Sequence, residues 1–472
     1  MEKLFGFAKS GTTAGREALA GATTFFAMSY IVLANPAVLS QAGMSWHGVF
    51  AATVLAAAIG TLVMGLAANV PYAVAPGMGL NAFFAFTVCA ALGFAWQEAL
   101  AMVFICGLVN MLAAISGLRK AIIRSIPKWL QFAIGGGIGL FIAAIGIGKA
   151  GFLELAAGFP AEGAAAGALS GAGALSGAGG LGAAGALLSL FGLAVMAALI
   201  LLKVRAALLI GIGAATLAGI PMGVTRLPEG PLLGAGPALQ GLGEVSFAFF
   251  GEVGLGSLFA GGASALPAVL VVIFSFSMVD IFDTIGTFVG TGRRSGLFDE
   301  EDERALIERR GFGSRMEKAL FADATATSIG ALLGTSNSTT FAESAAGIGA
   351  GGRTGFASVV AAALFLLCLP FAPILAAVPA QAVAPALVVV GAMMAESFAS
   401  IRWADPPEAI PSFLTVAIMA LAFSISWGIA AGLAFYCISM AVRGKALEVH
   451  PIIYGAALLF AMKLALLALG RL

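Results

Sequence analysis

The sequence predicts an all-α integral membrane protein of about 14 transmembrane spans, folded as a 7+7 inverted repeat. Three observations carry this. Of 472 residues, 60% are hydrophobic and 10% charged, whereas a soluble domain is about 45–50% apolar and about 25% charged. Stretches without Asp, Glu, Lys or Arg run far beyond the length of a core helix, the longest being the 80 residues from Ala18 to Gln97. Two spans are interrupted by Gly, Pro, Asn and Ser at matching places in the two halves.

At about 20 residues per helical crossing, Ala18 to Gln97 holds three spans, near residues 18–40, 49–69 and, broken, 71–92. Single spans follow near 98–117, 130–150, 182–202, 206–224, 265–288 and 319–334, a second broken one near 335–350, then 355–377 and 383–401. The charge-free run Ala409 to Val442 reads as one tilted or broken thirteenth span, and 451–470 as the last. A β-barrel is disfavoured because these runs lack a polar residue at every second position. Lys and Arg are retained on the cytoplasmic side. With the N-terminus inside, the even-numbered loops collect Arg119, Lys120, Arg124 and Lys128, then Lys203 and Arg205, seven cations between Thr291 and Lys318, then Arg353 and Arg402. Arg443 and Lys445 are the exception, falling outside by this count. The N-terminal apolar run is too long for a cleaved leader. The chain is therefore expected in the cytoplasmic membrane, multi-pass, with a cytoplasmic N-terminus.

The count divides into residues 1–224 (spans 1–7), a connecting external loop at 225–264, and residues 265–472 (spans 8–14). Seven is odd, so a repeated half re-enters the membrane inverted, the architecture of many secondary carriers. APGMGLNAFFAF, Ala75 to Phe86, is third in its half; GTSNSTTFAESAAG, Gly334 to Gly347, is third in the other. Paired breaks of this kind point to a midplane site, because half-helix N-termini and unpaired backbone groups can face a ligand. Gly and Pro also serve close helix packing, a reading that the matched positions make weaker. Between Ala161 and Ala186 the chain is almost all Gly, Ala, Leu and Ser, with GALSGAG at 167 and again at 173, read as a flexible external loop. The charged stretch Asp299 to Arg310 reads as a solvated surface segment.

Ionisable residues inside spans each cost a few kcal/mol at the bilayer centre on insertion scales, and so need a partner or a watery cavity. In FSFSMVDIFDTIGTF, Phe274 to Phe288, helical spacing puts Phe276, Asp280, Asp283, Thr284 and Thr287 on one face. Two carboxylates at i,i+3 resist simultaneous ionisation, which makes Asp280 and Asp283 a candidate proton carrier. Glu343 lies in the second break and Asn81 in the first. Asp323 reads as a helix-end or interface residue, and Glu396 and Lys463 as side chains that snorkel to the interface. The four cysteines lie singly and the two histidines are far apart, so disulfide frameworks and metal sites are not indicated.

The combination PGMGLNAFFAF, VDIFDTIGT and TSNSTTFAESAAGI, in this order, together with REALAGATTFFAMSYIVLANP from Arg16 to Pro36, resembles the adenine/guanine/hypoxanthine permease branch of the nucleobase transporters. These are the AzgA-like purine:proton symporters of the nucleobase:cation symporter-2 family. The resemblance covers nearly the whole chain. It implies a core domain of spans 1–4 and 8–11 and a gate domain of spans 5–7 and 12–14. It further implies that Gly79, Asn81, Asp280, Asp283 and Glu343 serve purine recognition or coupling. The Gly/Ala-rich loop between spans 5 and 6 departs from the family pattern and leaves the site untouched.

A purine is planar, with donors and acceptors at its edge and two apolar faces. Glu343 and Asp280 beside Phe276 and Phe341 suit such a ligand, and the backbone N–H groups of Phe341 and Ala342 could meet a ring nitrogen or carbonyl. Coupling falls to Asp280, Asp283 and Glu343. The expected activity is import of adenine, guanine or hypoxanthine by proton symport through alternating access. The alternative is carriage of another small solute, uracil/xanthine or an anion, on the same fold; an acidic, cation-poor site speaks against the anion. A channel needs a continuous polar lining, and an enzyme needs a nucleophile–base pair or metal ligands, neither of which the spans supply. No cofactor beyond a proton gradient is implied, and no nucleic-acid partner. The lipid bilayer is the surrounding partner, and a homodimer is compatible with the architecture.

Overall fold

The structure, a computed structural model, describes residues 2–116, 125–155, 175–178, 184–228, 230–260, 262–288, 297, 314–422, 425–451, 453–455, 457, 458 and 461. The Gly/Ala-rich loop apart from 175–178 and 184–186, the charged stretch 299–310 and most of the expected span 451–470 lie outside the described residues.

Span 1 is Ala14–Met28 continued by Ile31–Leu39, opened by Thr13, whose hydroxyl accepts the Arg16 N–H at 3.4 Å. Span 2, Trp46–Val63, runs through a π-turn and stops at Asn69, held at φ 52°. Spans 4 to 8 are Trp96–Ser116, Lys128–Lys149, Ala184–Leu201, Ala207–Gly219 and Gly262–Thr287. Span 9, Arg315–Leu333, begins at a capping box in which Ser314 and Glu317 satisfy each other's backbone N–H groups at 3.1 Å. Span 11 begins at Gly355 and span 12 covers Ala380–Met394.

Spans 3 and 10 are interrupted as the sequence indicated, and the interruption is a strand. Val74–Pro76 pairs antiparallel with Ser338–Thr340, in register Val74 with Thr340 and Pro76 with Ser338. Within a bilayer a non-helical backbone must find its partners in protein. Here the two breaks supply each other, and threonines on neighbouring helices supply the rest. The Thr61 hydroxyl of span 2 donates to the Val74 carbonyl at 3.0 Å and accepts its N–H at 2.9 Å. Thr327 of span 9, the counterpart of span 2, donates to the Ser338 carbonyl at 2.8 Å. The helices cross at the residues just before these two threonines, where a Cβ on Gly60 would lie 2.8 Å from that of Ala326. The matched pairs are the local imprint of the inverted repeat.

Helix packing sorts the chain into two groups. Spans 1–4 and 8–11 pack mainly among themselves, as do spans 5, 6, 7 and 12 with the helices Pro406–Leu421 and Ile425–Val442. Each group has a crossing so close that only hydrogen fits: a Cβ on Gly355 would lie 1.9 Å from the Gly65 carbonyl oxygen, and one on Gly391 2.3 Å from that of Gly139.

Two segments differ from the sequence expectation. Ala409 to Val442, read as one tilted or broken span, forms two helices, Pro406–Leu421 and Ile425–Val442, packed on each other. Both are short, which is why a run of this length reads ambiguously. The segment 225–264, expected as a loop, carries the helix Gly236–Val245, laid along span 2.

Candidate functional site

The strand pair places two half-helices back to back, Met78 onward in span 3 and Ser344–Gly349 in span 10. Around the second start, Phe341 is buried, Ala342 is exposed and Glu343 is half-buried. The Glu343 carboxylate accepts a hydrogen bond of 2.9 Å from the phenol of Tyr30, which is 1% exposed and sits at the interruption of span 1. Asp283 of span 8 completes the group. Its side chain is surrounded by protein yet open to a water-sized solute, and it hydrogen-bonds with Thr339 and feels the charges of Glu343 and Asp323. The result is a recess with carboxylate acceptors and an exposed apolar residue, Ala342. It can accept N–H donors from a small ligand.

Span 8 does not turn one face to this recess as helical spacing suggested. Asp280 is fully buried and accepts from Asn110 Nδ2 of span 4 at 2.7 Å, while Ser277 donates to the amide oxygen of the same Asn110. Thr284 donates to Asp323 at 2.8 Å. Residues three apart are about 60° apart around a helix axis. In a helix packed against several neighbours, 60° is enough to address a different one. Asp283, rather than Asp280, is therefore the span 8 carboxylate beside Glu343.

The remaining sequence candidates spread outward. Phe276 is fully buried with its ring edge-on to Phe83, centroids 4.7 Å apart. Asn81 is also buried. Its Nδ2 donates to Asn35 Oδ1 at 2.9 Å, and Asn35 in turn donates to Thr53 at 2.7 Å and Thr335 at 2.8 Å. Asn81 Oδ1 has no partner among the described residues. Gly79 abuts span 5, where a Cβ would lie 2.5 Å from Ile138 Cγ2. The expectation that the Phe341 N–H is free for a ligand is corrected: it donates to the Ala73 carbonyl at 3.0 Å, extending the strand ladder.

Asp323 is not a helix-end residue. The capping box starts span 9 at Arg315 rather than near 319, so Asp323 lies two turns inside, fully buried, accepting from Thr284 and from Thr340 at 2.8 Å each. Tyr30 and Asn110 were not singled out by sequence reasoning. The signal available was a lone phenol and a lone carboxamide, each within an otherwise apolar run. No group of three or more His, Cys, Asp or Glu side chains arranged for a metal ion occurs among the described residues. A separate cavity of about 290 Å³, with no residue of the breaks in its lining, is formed by Trp129, Tyr436, Arg443 and the paired Arg402 and Glu408 among others.

Comparison with known proteins bears on the whole of this arrangement. Residues 15–431 match the model of the permease family designated Xan_ur_permease. The chain is 37% identical to the guanine/hypoxanthine permease PbuG of Bacillus subtilis, with 98% of each chain covered. It is 36% identical to the adenine permease AdeP of Escherichia coli, covering 98% of this chain and 96% of that one. Among solved structures, the transmembrane domain of the cyanobacterial bicarbonate transporter BicA superposes with a TM-score of 0.59 at 16% identity, covering 88% of this chain and 97% of that one. At that identity the likeness is one of fold. A multi-pass helical fold with two strand-paired breaks and a family match over most of its length identify the chain as a member of the permease family, a transporter and not an enzyme.

Proposed function

We infer that the chain carries purine nucleobases, coupled to protons, by alternating access. The observation that carries this reading is the pairing of Glu343 with Asp283 in one recess beside the strand pair. The full-length similarity to proteins named as guanine/hypoxanthine and adenine permeases supports the substrate class. Glu343 is the principal acceptor for ring N–H groups, with Ala342 against the base; Gly79, Asn81, Phe276 and Phe341 shape the surrounding wall. Asp283 carries the coupling proton, and Asp280 serves the packing of span 8 on span 4. Spans 1–4 and 8–11 act as the core and the remaining spans as the gate, moving against each other around the site. The cytoplasmic N-terminus gains support from the two helices within 406–442, because one more crossing brings Arg443 and Lys445 to the cation-rich side.

The test is uptake of radiolabelled adenine, guanine and hypoxanthine by cells that lack their own carriers. We expect accumulation of at least one base, abolished by a protonophore and not inhibited by the corresponding nucleoside, whose ribose adds bulk beyond the planar base that the carboxylates address. Absence of uptake for all three bases overturns the substrate assignment. Accumulation that survives the protonophore overturns the coupling.

A further inference from the structure

Span 1 makes three polar contacts at seven-residue intervals. Thr23 accepts from Arg205 at 3.3 Å, Tyr30 donates to Glu343 at 2.9 Å, and the Ala37 carbonyl accepts from Lys149 at 3.0 Å. The Lys149 ammonium also lies 5.6 Å from the ring centre of Phe86. Ser29 and Tyr30 keep right-handed helical angles, so span 1 continues through its interruption. Seven residues then return to nearly the same face and advance about 10.5 Å. The partners at the two ends both belong to the second packing group: Lys149 closes span 5, and Arg205 sits in the turn between spans 6 and 7. The helix that holds the recess carboxylate is thus itself held, about 10 Å to either side, by two cations of the opposing group.

We propose that Tyr30 positions Glu343 for the ligand and couples the state of that carboxylate, along span 1, to the two gate contacts. The proposal rests on the functional reading above. An ionised Glu343 receives a charge-assisted bond from the phenol, roughly twice as strong as one to a neutral carboxyl. A proton or a ligand N–H arriving at Glu343 draws off that charge and weakens the hold of span 10 on span 1. The two gate contacts lie about 21 Å apart along the helix. A small tilt of span 1 therefore releases one contact and keeps the other, which is what alternation between two faces requires.

The variant Tyr30→Phe keeps the ring and removes only the hydroxyl. In proteoliposomes we expect the KM for the transported purine to rise at least about five-fold, with the maximal rate within about two-fold and the melting temperature of the purified protein unchanged. On a Glu343→Gln background the same substitution should add nothing. Coupling is read from a single reporter cysteine, Ala37→Cys, in a chain whose four native cysteines are replaced. Its rate of alkylation by an impermeant maleimide should change about three-fold on adding saturating purine when Tyr30 is present, and stay constant in Tyr30→Phe. An unchanged KM in Tyr30→Phe overturns the positioning role; a purine response of equal size in both chains overturns the coupling. A wild-type chain that carries no purine instead overturns the functional reading, and this proposal with it.

Discussion

Two carboxylates three residues apart on span 8 meet different neighbours. Asp280 meets an amide donor inside a buried contact with span 4, whereas Asp283 meets the recess. Replacing Asn110 by Leu removes one donor from a buried carboxylate, at a cost of about 1–3 kcal/mol. We expect a lower melting temperature in detergent with an unchanged KM; a raised KM with unchanged stability would return Asp280 to the binding site. Glu343→Gln, by contrast, should weaken purine binding by about 2 kcal/mol or more, some thirty-fold in Kd measured by calorimetry. Asp283→Asn should bind and exchange purine but fail to concentrate it, so that counterflow persists while accumulation is lost. The sequence made Glu343 and the Asp280/Asp283 pair legible because charge inside an apolar run is conspicuous at any position. It left Tyr30 invisible as a partner, since the bond to Glu343 joins residues 313 positions apart and no local pattern records such a pairing.

At the scale of the element, the breaks were the most readable feature and the helix ends the least. Gly, Pro and Asn announce that a span is interrupted, but not that the interruption becomes a strand. That outcome depends on its counterpart arriving from the other half. Span 9 shows how a boundary misleads: Ser314 and Glu317 cap the helix one turn earlier than hydropathy suggests, and the four-residue difference turns Asp323 from a rim residue into a buried one. In span 3, Gly79 faces Ile138 of span 5 across the boundary between the two packing groups, with no space for a methyl group. Gly79→Ala should therefore slow transport several-fold while the protein still folds. Adding Ile138→Ala, which clears the obstructing methyl, should restore much of the rate, as initial uptake will report. A double variant as slow as the single one would show that the glycine acts on something other than this contact.

For the whole molecule, a many-span inverted repeat follows from counting apolar lengths, and the structure adds a division that counting missed, between Pro406–Leu421 and Ile425–Val442. Hydropathy does not register it because residues 422–424 carry no charge. A core-and-gate division is implied only by the family resemblance, since apolar composition alone does not distinguish one span from another.

The strand pair also has a consequence for how the protein comes into being. Val74–Pro76 enters the bilayer with the first half of the chain, but its partner Ser338–Thr340 is still unsynthesised. At roughly 5–20 residues per second, some 260 residues of delay leave the first strand waiting for tens of seconds with only Thr61 to satisfy it. We expect the first half of the chain, lacking this partner, to be open to membrane chaperones and quality-control proteases until the second half arrives. Expressed alone, residues 1–224 should be degraded rapidly in a pulse-chase experiment. Co-expressed with residues 225–472 as a separate polypeptide, they should persist and recover uptake, because what the first half lacks is a partner for its backbone and not a covalent link to it.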